Sequence, residues 1–195
     1  IDLSVGRSMF FISTVVGYLI TTSKLIPERY FEDIRGTLLV LGMVVVMGAG
    51  VGCINGLLVT RISMLPFIAT LATGSILRGA GLKVSGAASM NVSALGELSN
   101  GRIGPIPNVL ICFILAVVVF DYVLRYTAYG RHLMAIGDSA RNAKRAGIKV
   151  DRNIIFAYMI CGSLGAFGGI LSAGQIGSVS SGFGEGYVFI VLSAA

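Results

Sequence analysis

Between Gly36 and Thr60 the chain carries no charge, and residues 37–60 read "TLLVLGMVVVMGAGVGCINGLLVT". About 20 apolar residues in a helix cross the hydrocarbon layer of a bilayer, so this run is long enough to do so. Four more uncharged runs follow the same pattern: Ser8–Ser23, Ile62–Leu77, Ile103–Phe120 and Asn153–Gly184. The last is too long for one helix, and its tail, "GQIGSVSSGFG", reads as a Gly/Ser loop, which leaves Ile154–Ala173. The predicted spans are therefore 8–23, 37–60, 64–83, 105–124 and 154–173. Inside lipid every backbone N–H and C=O needs an internal partner, and runs of this length satisfy that need as helices. The fold class expected is all-α, a polytopic transmembrane helical bundle.

Composition excludes the soluble alternative. Apolar residues make up 55% of the chain before its 27 glycines are counted, whereas soluble domains reach about 45–50% with glycine included. Charged residues are 12%, about half the usual share, too few to cover a soluble surface. The chain starts at Ile1 without a Met and stops at "GYVFIVLSAA", roughly half the length a span requires. The expectation is one transmembrane domain over 1–195, incomplete at both ends, with five complete spans and a partial one.

Charge is concentrated in one place. Arg125, Arg131, Arg141, Lys144, Arg145, Lys149 and Arg152 all lie between the fourth and fifth spans. Short loops rich in Lys and Arg stay on the cytoplasmic side. Alternation then puts residues 60–63, with Arg61, on the same side, and 24–36, 84–104 and 174–186 outside. Topology thus accounts for most of the +6 net charge. Nucleic-acid binding is a poor alternative, because the basic residues lack interleaved aromatics and follow a membrane span.

The basic stretch, residues 125–153, also has the grammar of a helix. Asp138 and Ser139 are good N-cap residues, "ARNAKRA" follows, and Gly147 is placed to end it. Lys144 and Arg145 sit in the last turn, where the helix dipole favours cations. So short a helix is marginal in water and needs a surface to lean on. A solvated loop helix and a docking element for a cytoplasmic subunit both fit these residues.

"YGRHLMAIGDSARNAKRAGIKV" at 129–150 resembles the cytoplasmic loop of ABC-importer permeases of the ribose/xylose/branched-chain amino acid family. That loop has the form GR-x-x-x-AIG, a small or polar pair, an Ala/Arg-rich short helix and GI-x-V. Here the pattern falls on Gly130, Arg131, Ala135, Ile136, Gly137, Asp138, Ser139, Ala143, Gly147, Ile148 and Val150. "IDLSVG" at 1–6 is similar to the family's GGIDLSVGS segment. "INGLLVTRISMLPFIATLATGSILRGAGL" at 54–82 matches its NG-L-V and PFI-TL-T-x-S-I-x-RG segments. "GEGYVFIVLSAA" at 184–195 resembles the segment leading into a helix near the family's C-terminus. Family members often carry Gly-Asn where Asp138–Ser139 stands, and an acidic residue where Val188 stands.

The resemblance implies the permease subunit of an importer in the bacterial cytoplasmic (inner) membrane, without enzymatic activity of its own. Its partners would be a cytoplasmic ATP-binding subunit, a periplasmic or surface-tethered solute-binding protein, and a second permease subunit, identical or similar. It further implies that the helix near Asp138–Gly147 couples to the ATPase. "IDLSVG" and "PFIATLATGSILRG" look more like the sugar branch than the branched-chain amino acid branch, pointing to a monosaccharide or similar small polar solute.

Residues read unaided agree with a non-enzymatic part. No lysine follows a glycine, so no Gly-Lys-Ser/Thr phosphate cradle is present. His132 is the only histidine and lies in the basic loop, a poor start for a metal site or a His-based triad. No cofactor is implied. Cys53, Cys112 and Cys161 fall inside spans and read as small apolar fillers. A secondary transporter driven by an ion gradient is the rival reading; it needs an acidic residue well inside a span, and only Asp2, near one end, is ambiguous.

Two features concern packing and the solute path. Gly48, Gly52 and Gly56 form a smooth strip on one helix face, and Gly165, Gly169 and Ala173 another. Such strips serve close packing within a subunit or a contact between subunits. Polar groups at membrane depth are the path candidates: Thr70, Thr73, Arg78 and Asn55. Each has a plainer use. The threonines can bond their own helix carbonyls, Arg78 can snorkel to the interface or pair within the bundle, and Asn55 can bond another helix. Asp121 and Arg125 stand four apart and read as a local pair.

Overall fold

A computed structural model describes residues 2–21 and 34–187. Residues 1, 22–33 and 188–195, which include most of the 24–36 segment and Val188, lie outside the described residues.

The helices are α1 (Val5–Thr21), α2 (Ile34–Thr60), α3 (Pro66–Ser85), α4 (Gly96–Asn100), α5 (Asn108–Tyr126), α6 (Ala128–Asp138), α7 (Ala140–Arg145) and α8 (Val150–Ile176). Four two-residue strands accompany them: β1 (Met90–Asn91), β2 (Arg102–Ile103), β3 (Ile106–Pro107) and β4 (Ser178–Val179). Within the described residues, Gly36–Thr60, Asn108–Tyr126 and Val150–Ile176 are long and apolar enough to cross a membrane. The polytopic helical fold is as expected.

The glycine strip decides how α2 and α8 pack. A Cβ at Gly48 or Gly52 would collide with the carbonyl of Gly162 or Tyr158, and one at Gly56 would come within 2.8 Å of the Ile155 Cα. Without those side chains the two backbones touch, which is how helices gain contact where lipid supplies no hydrophobic drive. Ser163 adds a hydrogen bond from its Oγ to the Val45 carbonyl, 3.2 Å. The second strip faces α1: a Cβ at Gly165 would meet Val5, and one at Gly169 would meet Met9. Both strips serve packing inside this chain. The core between α1, α2 and α8 includes Ile12, Val16, Val44, Ala166 and Ile170.

The connecting segments gather at two ends of the bundle. β1 pairs antiparallel with β4, Met90 opposite Val179, so the loops after α3 and α8 lie together at one end. Arg61, Lys144, Lys149 and Arg152 line one groove at the other. Pro66 sits in the first turn of α3, as its missing N–H permits. Asp121 and Arg125 form the predicted ion pair, 2.6 Å.

The first span departs from expectation. The run 8–23 becomes α1, 17 residues from Val5 to Thr21. Its start lies inside the bundle: a Cβ at Gly74 would meet the Arg7 Cδ at 3.0 Å and the Ser4 Cα at 3.4 Å, and Gly74 is about 12 Å along α3 from Pro66 at 1.5 Å per residue. The far end of α1 reaches the β1 layer, where Gly17 packs on Val92 and Met90. Thus α1 begins partway along the bundle rather than at its end. Asp2 caps this start, its Oδ1 accepting from the Ser4 N–H at 2.8 Å and the Ser4 Oγ at 2.7 Å. A carboxylate there also complements the positive helix end.

The fifth span is longer than the hydropathy run 154–173. α8 opens at Val150, taking Asp151 and Arg152 into its first turn, and closes at Ile176 before Gly177 in the left-handed conformation.

Candidate functional site

Two regions hold the polar chemistry. At the basic end, α5 turns sharply into α6. Thr127 makes the corner: its Oγ1 donates to the Val123 carbonyl at 2.6 Å and accepts from the Gly130 N–H at 3.3 Å. Gly130 is buried there, and a Cβ would collide with the Leu124 carbonyl. Arg131, Gly137 and Asp138 are exposed on α6, while Ala135 and Ile136 are half-buried. α6 packs on the first turns of α8, where the Tyr129 hydroxyl donates to the Asn153 carbonyl at 3.3 Å. Burial raises the Tyr129 pKa.

α7 follows after one residue. Ser139 is its N-cap, accepting from the Asn142 N–H at 3.3 Å. Asp138, expected to share the capping, instead ends α6. The helix closes on a Schellman motif. The Ile148 N–H bonds the Ala143 carbonyl and the Gly147 N–H bonds that of Lys144, with Gly147 at φ 81°. Ala143 is buried, 4% exposed. α6 and α7 therefore form one capped, cornered unit leaning on α8. The sequence pattern showed α7 but not α6, whose polar and apolar residues resembled a loop.

At membrane depth a second set gathers around the start of α1. The Arg7 Nη1 donates to the Ser75 Oγ at 2.9 Å and to the Leu71 carbonyl at 3.4 Å on α3. Arg78, three residues further along α3, forms an ion pair with Glu185. By helical rise Arg78 is about 10 Å short of the outer end of α3. Glu185 arrives there because residues 180–185 turn back from the β1–β4 layer. Gly184, at φ 87°, packs on the Gly6 carbonyl so closely that any Cβ would collide. Arg78 and Glu185 keep 41% and 45% of their side chains exposed. Charged groups so exposed at this depth face water or other protein, because lipid does not solvate them.

The four predicted path residues divide. Arg78 belongs to this set and pairs within the bundle. Thr73 is buried nearby on the same helix, 8% exposed. Thr70 is fully buried and back-bonds to the Pro66 carbonyl at 2.9 Å, the plainer of its two uses. Asn55, also fully buried, donates to the Ser4 Oγ at 2.8 Å and reaches Asp2 at 3.5 Å, tying α2 to the start of α1. Arg7 and Glu185 were missed. Only their charge inside otherwise apolar or glycine-rich segments could have marked them. No cluster of metal-ligating side chains occurs among the described residues.

Apolar helices long enough to span a bilayer, packed through glycine strips, define a polytopic membrane bundle. The family profile described as "Branched-chain amino acid transport system / permease component" matches residues 1–195, and the chain belongs to that family. It is a multi-pass inner-membrane protein. It is 31% identical to the galactose/methyl galactoside import permease protein of Escherichia coli over 99% of this chain and 60% of that one. Identity to the fructose import permease protein of Rhizobium meliloti is 34%, over 95% of this chain and 51% of that one. The ribose import permease protein of Bacillus subtilis is 34% identical over 72% of this chain and 45% of its own. The chain spans about 60% or less of the length of these relatives. No solved structure matches.

Proposed function

We propose that this chain forms a single permease domain of an ABC importer, carrying a monosaccharide or similar small polar solute into the cytoplasm. The α6–α7 unit is the docking element for a cytoplasmic ATP-binding subunit, which performs the hydrolysis. A solute-binding protein delivers from the outer side, and a second permease subunit completes the path. The observation that carries this reading is the capping and bracing of α6–α7. A helix capped at both ends, joined to α5 by a glycine corner and braced on α8, can pass a rigid-body push to two spans. A flexible loop would absorb it.

Arg7, Ser75, Arg78 and Glu185 supply donors and acceptors on the solute path, with Thr73 beside them. A sugar needs such partners to replace water, and weak ones, because it must leave. A gradient-driven carrier would instead need an acid free to bind the coupling ion. Asp2 is held by Ser4 and Glu185 by Arg78, which favours the ATP-driven reading.

The test uses the full-length permease co-expressed with its ATPase. Residues 138–147 are replaced by a Gly/Ser linker while the flanking arginines keep the topology. The ATPase should no longer co-purify in detergent, although the permease remains in the membrane. Full retention with unchanged transport would overturn the coupling assignment.

A further inference from the structure

The groove at the basic end is about 570 Å³ and is lined by Arg61, Lys144, Lys149 and Arg152, with Asp151 the one acid among them. All five are exposed. None of the four cations has an ion-pair partner among the described residues. They come from separate elements: Arg61 follows α2, Lys144 lies on α7, and Lys149 and Arg152 flank the start of α8. The first turn of α8 faces the same space without a side-chain cap, so its positive dipole end adds to the attraction for an anion. The rest of the lining is apolar: Ile148, Val150, Ile155 and Phe156. Phe156 is 42% exposed, and the Arg152 guanidinium lies over its ring, 5.4 Å from the centroid. Phe156 stands about 9 Å along α8 from Val150. The groove thus runs from charged at the membrane surface to apolar one to two turns inside.

We propose that this groove binds an anionic phospholipid of the cytoplasmic leaflet, its phosphate among Arg61, Lys149 and Arg152 and its first acyl carbons along Ile155 and Phe156. Basic pockets between membrane helices on the cytoplasmic side suit anionic headgroups. An acidic surface of a water-soluble partner could meet the cations but would leave the apolar wall unused. Because Arg61 follows α2 while Lys149 and Arg152 flank the start of α8, one bound headgroup ties the ends of these two membrane helices together, beside Lys144 of α7. The inference rests on the membrane location of α2 and α8, not on the identity of the cytoplasmic partner, so the linker experiment can fail without touching it.

The test is native mass spectrometry of the full-length permease in detergent with added phosphatidylglycerol or phosphatidylcholine, with and without its ATPase. Wild-type protein should retain phosphatidylglycerol at least fivefold over phosphatidylcholine, and R61Q/K149Q should lose most of that preference. R141Q/R145Q, which removes two charges of the same loop outside the groove, should keep it. Should R61Q/K149Q fail to insert, the single variant R152Q serves, and a twofold or greater loss of preference is expected. Equal retention of both lipids by the wild type, or an unchanged preference in the groove variants, would overturn the proposal. So would displacement of phosphatidylglycerol by the ATPase, or by glycerol 3-phosphate at equal concentration, since the occupant would then be a protein surface or a free phosphate.

Discussion

α2 and α5 are both continuous apolar helices, yet the bundle uses them in opposite ways. α2 lies against α8 along Gly48, Gly52 and Gly56, backbone to backbone. No residue of α5 is buried, and Phe113, Leu115 and Val118 are each at least 60% exposed. Hydropathy fits both for the bilayer and does not say which one packs. In lipid an apolar side chain gains little by moving from acyl chains to another helix, so contact goes to helices whose small residues admit close approach. α5 has Val, Leu, Ile and Phe where α2 has glycine, and it meets the rest of the bundle through α4, β3 and α6 at its ends.

The largest effect should come from breaking the α2–α8 contact. Gly52→Val would drive a branched side chain into the Tyr158 carbonyl, and the full-length protein should lose its monodisperse peak on size-exclusion chromatography. A variant that stays folded would mean α2 and α8 can separate freely, and the contrast with α5 would fail.

Arg78→Gln comes next. It leaves Glu185 unpaired at membrane depth, and solute uptake in vesicles should fall at least tenfold while the protein still inserts. Combining it with Glu185→Gln should restore thermal stability more than uptake if the pair both holds the returning segment and lines the path.

At the basic end, Ser139→Ala removes the α7 cap and should cost about 1 kcal/mol locally. Hydrogen exchange at Asn142 should rise several-fold, with little change in α8. Val118→Ala on α5 should be nearly silent, within about 0.5 kcal/mol of wild type. A larger loss would show that α5 packs on another protein surface rather than on lipid.

Much of the basic segment was legible from residues 130–150, because caps and terminators act locally. Ser139 and Gly147 do at 139 and 147 what their types favour anywhere. α6 escaped notice because its stability comes from α8 and from the corner at Gly130, both remote from its own pattern. The polar residues within the bundle were harder to read. Thr70 and Thr73 looked alike as hydroxyls on one helix, but the structure turns Thr70 back to the Pro66 carbonyl and leaves Thr73 without such a bond. Arg7 and Glu185 are 178 positions apart in the chain and are brought to neighbouring sites on α3 only by the fold.

By itself the sequence determined that this chain lives in a membrane and where its short basic helix α7 begins and ends. Those properties follow from transfer to lipid and from bonds within a few residues. Tertiary structure alone decided that α1 starts inside the bundle, that residues 180–185 return to meet it, and that two glycine strips close on α8 and α1 within one chain. These outcomes depend on contacts between segments far apart in sequence, where the space left by a missing side chain has meaning only once its neighbour is in place.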